Sequence, residues 1–106
     1  MKVLKIEDKD LHMGEIANDL KALQEYVGGY IEVVPLTEQL ALICNEEGKL
    51  LGLPETAWLT KRGGLAPVDK LCGPMLVCRT DTDGEFTDFV FEQDLCEALL
   101  YVHPVP

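Results

Sequence analysis

Apolar and polar residues alternate over residues 2–6 (KVLKI), the period-two pattern of a strand with one face buried. A polar run at 7–10 predicts a turn, and residues 11–17 a weaker extended partner that closes a hairpin. The period then changes. Leu20, Leu23 and Val27 recur at i, i+3 and i+7 with Tyr26 beside them, predicting an amphipathic helix over 19–27. Asn18 or Asp19 offers its N-cap, and Gly28-Gly29 supplies the left-handed position that ends it. Residues 30–35 and 40–44 predict two strands joined through 36–39. The turn at 45–48 (NEEG) predicts a further hairpin, with 49–51 as its returning strand.

The second half is punctuated more heavily. Residues 54–67, bounded by Pro54 and Pro67, predict the most irregular region of the chain. Residues 71–79 read as one strand interrupted by Gly73-Pro74, which points to a bulge or an edge position. A turn at 81–84 (DTDG) returns through 85–90. Leu95, Leu99 and Val102, with Cys96 and Leu100 alongside, mark a closing helix over 92–101, stopped by Pro104 and Pro106. This order lacks the strand–helix alternation of a doubly wound sheet. It predicts an α+β fold, a small mainly antiparallel or mixed sheet with two packed helices, in a single domain over 1–106.

At 106 residues the chain can bury one core but not a deep, enclosed active site. No apolar run approaches the roughly 20 residues that cross a bilayer. The opening MKVLKIEDKD lacks the form of a signal peptide, so a cytoplasmic protein with no membrane partner is expected. The formal net charge is −10, and residues 80–106 hold seven acids with no lysine or arginine. Direct nucleic-acid binding needs the opposite sign. Such an acidic surface keeps a protein soluble, or docks on a basic partner.

Little in the sequence points to catalysis. There is no serine, which removes serine nucleophiles. Cys44, Cys72, Cys78 and Cys96 lack zinc-knuckle spacing and sit in apolar runs, where thiols behave as small hydrophobes. His12 and His103 have no evident orienting partner. The Asp81-x-Asp83-Gly84 run fails as a calcium loop, because Arg79 and Val90 would occupy the first and twelfth ligand positions. No motif for a metal or cofactor remains. Lys61-Arg62-Gly63-Gly64 is the one concentrated positive charge. It reads either as an exposed flexible loop or as an anion site combining cations with backbone amides. Trp58, the single tryptophan, precedes it by three residues. It reads as a core or interface anchor, although stacking beside a cationic loop would suit a nucleotide.

The segments MKVLKI, LKALQEYVGGYIEVVPL and LALICNEEGKLLGLP together resemble the DUF3846 family over residues 1–54. The resemblance continues more loosely through LCGPMLVC and GEFTDF. Where that family commonly follows Leu-Pro with asparagine and arginine, this chain has Glu55, Thr56 and Ala57 after Pro54. The resemblance implies an accessory protein of a bacteriophage, plasmid or integrative element, with no established catalytic residues to carry over. It raises the expectation of a non-enzymatic role such as countering host defence. Two mechanisms fit. A homo-oligomer could sequester a small nucleotide in pockets between subunits, using Lys61, Arg62, Gly63, Gly64, Trp58 and Asn45. Alternatively the acidic C-terminal face, with Glu92, Asp94 and Glu97, could inhibit a basic host protein or mimic DNA. A structural subunit without ligand is a third reading.

Overall fold

The computed structural model describes residues 1–106 as an α+β fold in three layers, with two antiparallel sheets and two short helices. Strand β1 (Lys2–Glu7) forms the expected hairpin with β2 (Asp10–Glu15). Asp8 and Lys9 both take positive φ, the mirror-type turn whose twist suits paired strands. Helix α1 (Leu20–Val27) follows. The Asp19 side chain accepts the Ala22 N–H at its N-terminus, and Gly28 takes the left-handed C-cap position at φ 82°. Strands β3 (Ile31–Pro35) and β4 (Leu40–Asn45) then pair with each other.

Residues 49–51 are not a returning strand. They lie in consecutive turns, because both edges of β4 are already taken by β3 and by β7 (Met75–Thr80). Residues 54–67 are more regular than the sequence predicts. β5 (Glu55–Thr60) lies within them, and a loop through Lys61–Gly64 leads to β6 (Pro67–Cys72). The run at 71–79 is two strands in two sheets. Gly73, at φ 87°, has Leu53 Cδ1 2.7 Å from where a Cβ would stand. The chain turns there and crosses from β6 into β7, which lies in the middle of its sheet rather than at an edge.

Only β8 (Phe86–Thr87) pairs within the return from the 81–84 turn. Helix α2 (Phe91–Ala98) is shorter than predicted. Leu100 and Tyr101 donate to Glu97 and Ala98 carbonyls, tightening the last turn, and Val102 then enters β9 (Val102–Pro104) beside β5. Val102 is apolar because it faces the core from a strand, not from a helix.

The large sheet has the order β2-β1-β7-β4-β3, with β8 continuing along β7; the small sheet is β6-β5-β9. β4 is buried along its whole length and β7 over its first four residues, since both faces of the large sheet are covered. Leu4, Ile6, Leu42, Met75 and Val77 pack with Ala57, Leu71 and Val102 of the small sheet and Ala98 of α2. Val3, Ile43, Leu76 and Cys78 face the other way, against Leu23 and Val27 of α1. No helix is long and apolar enough to cross a membrane.

Candidate functional site

The outward face of the small sheet gathers the groups the sequence singles out near Trp58. This residue sits in the middle of β5, with Lys70 of β6 and His103 of β9 as its two cross-strand neighbours. Lys70 Nζ lies 5.6 Å from the indole centroid, within cation–π range. The indole N–H donates to Glu55 Oε1, which fixes the ring along the strand. Trp58 is half-buried and leaves part of its ring open to solvent. His103 Nε2 is 3.1 Å from Thr60 Oγ1, which also lies against Leu100 O. Sequence pattern does not bring Lys70 or His103 here, because Lys70 falls between the irregular 54–67 region and the strand predicted from 71, and His103 follows the predicted helix where Pro104 stops it.

Lys61, Arg62 and Gly63 are exposed at the end of this face. The loop amides are occupied, however. The Gly63 N–H donates to Leu100 O at 3.0 Å and the Gly64 N–H to Lys61 O at 2.7 Å. Any anion held here is therefore held by the Lys61 and Arg62 side chains, not by a backbone cradle at the glycines. The β5–β6 hairpin carries three cations (Lys61, Arg62, Lys70) against Glu55 and Asp69. Asp69 is itself engaged by Lys49 Nζ at 2.6 Å, a hydrogen bond that holds its carboxyl below the usual range. With Glu97 beside Arg62 and Lys49 beside Asp69 included, this corner keeps a small positive surplus in an acidic chain, and charges within a Debye length of roughly 8 Å dominate what a ligand senses.

Asn45 is not brought to this face. It is buried at the end of β4, where Nδ2 donates to Val27 O at 3.1 Å and Oδ1 accepts the Glu47 N–H at 2.7 Å. It ties the end of α1 to the turn after β4 and borders a different cleft, with Lys49, Asp69 and Cys72.

The three acids of α2 also differ from one another. Glu92 is exposed, Glu97 lies 3.8 Å from Arg62, and Asp94 is buried. Asp94 Oδ2 accepts Arg79 Nε–H and the Val90 N–H, each at 2.8 Å. A cavity of about 420 Å³ opens beside this pair. Its walls come from the 36–40 connection, β7 and α2, whose contact in space the sequence does not announce.

Two of the four thiols, Cys44 and Cys78, are buried. Burial pushes Cys78 up to about 12, and burial with the nearby Glu32 carboxylate pushes Cys44 up to about 12, so neither is a ready nucleophile. His12 Nε2 faces Glu7 Oε1 at 3.4 Å on the hairpin surface. No three His, Cys, Asp or Glu side chains are arranged to hold a metal ion.

The fold and this face describe a small α+β domain with an aromatic surface flanked by cations. The DUF3846 family model, described as a domain of unknown function, matches residues 1–99, and the chain belongs to that family. No curated protein and no solved structure matches it significantly.

Proposed function

We propose that this domain is a non-catalytic accessory protein of a phage or other mobile element that sequesters a small nucleotide-type ligand on the β5–β6–β9 face. One observation carries the reading: the single tryptophan lies open between Lys70 and His103, with Lys61 and Arg62 three and four residues further along. A base stacks on the indole, an interaction that tolerates any base because each has a π-face. Its phosphates then reach Lys61 and Arg62, about 10 Å along the strand direction. The face is open, so a second copy of the chain closing over it would wall the ligand in, as expected of a homo-oligomeric binder without turnover. The acidic-helix alternative is less well served, since Asp94 is buried and Glu97 is opposed by Arg62.

Because Trp58 is the only tryptophan, intrinsic fluorescence reports on the site directly. Titration with mono-, di-, tri- and cyclic nucleotides should give a saturable quench. At 100 times Kd the ligand should add about 2.7 kcal/mol of stability, several degrees in Tm. Lys61→Ala with Arg62→Ala should weaken binding at least tenfold and flatten its salt dependence. The absence of both a quench and a Tm shift with every nucleotide at millimolar concentration would remove the proposal.

A further inference from the structure

We infer that the cleft between the 36–40 connection, β7 and α2 is a separate binding site for a small amino-acid zwitterion, taking its carboxylate on Arg79 and its ammonium at Glu38. The cavity is about 420 Å³, within the range of small-ligand sites. Its central group is a guanidinium held from behind. Arg79 Nε donates to the buried Asp94 carboxylate, whose same oxygen accepts the Val90 N–H. Nη1 and Nη2 make no hydrogen bond within the chain. With Nε already engaged, the end-on edge of the guanidinium is the free one, and it matches the two oxygens of a carboxylate. Because Asp94 fixes the planar group, little side-chain freedom is lost when a ligand arrives.

The opposite wall is equally fixed. Thr37 Oγ1 accepts the Gln39 and Leu40 N–H groups, both at 3.0 Å. Thr80 donates its N–H to Gln39 O at 2.9 Å and its hydroxyl to Glu38 O at 3.2 Å. Charge then selects the ligand class. Arg79 and Asp94 offset each other and Glu97 is opposed by Arg62, so Glu38 leaves the lining net negative. A phosphate dianion is therefore disfavoured, whereas a molecule bringing one carboxylate and one ammonium meets an opposite charge at each end, Arg79 and Glu38, and adds no net charge to the lining. Gln39 and Gln93 add neutral amides between the two ends.

The test is calorimetric titration and amide chemical-shift mapping of the intact protein with four probe sets. These are free amino acids, dipeptides, their N-acetyl and methyl-ester derivatives, and inorganic phosphate. A free amino acid or dipeptide should bind saturably, and which of the two binds more tightly tells a single residue from a peptide. Removing either ligand charge, by acetylation or esterification, should weaken binding tenfold or more. Glu38→Gln should weaken zwitterion binding at least fivefold and leave the N-acetyl derivative unaffected; Arg79→Lys should abolish carboxylate selectivity. Should Arg79→Lys fail to fold, the Glu38→Gln result and the shift map carry the test. The inference is overturned by no binding from any zwitterion at 20 mM, by an acetyl or ester form that binds as tightly as the free zwitterion, by preferred phosphate binding, or by shifts outside residues 36–40, 79 and 93–97. Trp58 lies outside this lining, so the outcome is independent of the nucleotide proposal.

Discussion

Arg62 Nε lies 3.8 Å from Glu97 Oε1, so the one pair of adjacent cations in the chain rests against its acidic helix. Both side chains are substantially exposed, which limits the pair to about 1 kcal/mol or less. Glu97→Gln should therefore change chemical stability by no more than about 1 kcal/mol. It should also free Arg62 for anions. Tighter nucleotide binding by the variant in the fluorescence titration checks this, and weaker binding contradicts it.

Asp94→Ala should be far more costly. The substitution strips Arg79 of its partner and leaves the Val90 N–H at the start of α2 unpaired. Breaking one side of such a buried pair costs about 3 kcal/mol or more. Urea unfolding measures the loss, and a change below about 1 kcal/mol would show that the pair is not formed in solution.

Asn45→Ala should cost about 2 kcal/mol, because it orphans Val27 O in a buried setting and the Glu47 N–H in a partly buried one. Hydrogen exchange should quicken at the C-terminal turn of α1 and over residues 45–48, with β1–β2 unchanged. Uniform quickening across the domain, or none, would contradict this local role.

Stability should fall at alkaline pH. Cys44 and Cys78 ionise near 9.0 when unprotected and at about 12 in the fold, burial being the main cause for both. Between those values the unfolded chain has released protons that the folded chain keeps, so raising the pH favours unfolding. The slope is about 1.4 kcal/mol per pH unit for each thiol. The Tyr26 hydroxyl, raised by burial and by its hydrogen bond to Glu7, acts in the same direction. Comparing urea midpoints at pH 8 and pH 10.5 for the parent and for Cys78→Val checks the sign. The variant should lose less stability, and an identical loss would contradict the assignment.

The local elements of the first half are legible because each announces itself over a few residues. Asp19 and Gly28 mark both ends of α1, and KVLKI alternates as a half-buried strand does. What sequence pattern misses is pairing at a distance. Residues 54–67 look irregular since the Lys61–Gly64 loop dominates their composition, yet β5 is held by partners on both sides. Residues 71–79 look continuous because apolar residues run through both β6 and β7; the close approach of Leu53 to Gly73, a tertiary fact, makes the break. The same limit applies to function. Trp58, Lys61 and Arg62 can be picked out by residue type, but Lys70 and His103 become their neighbours only through strand register. Asn45 and Asp94, polar residues of kinds that usually face solvent, are buried where they satisfy backbone groups or a guanidinium.

The placement of β7 has a consequence for how the chain is made. The two early hairpins, β1–β2 and β3–β4, do not pair with each other, and only β7 joins them. As the ribosome emits this polypeptide, its first half exposes two unsatisfied ribbons until residue 80 has cleared the exit. Closure over so long a separation is slow, and open ribbons of this sort invite association between nascent copies. A fragment ending at residue 54 should accordingly lack cooperative melting and should aggregate, whereas the complete chain should refold in one step limited by the arrival of that strand.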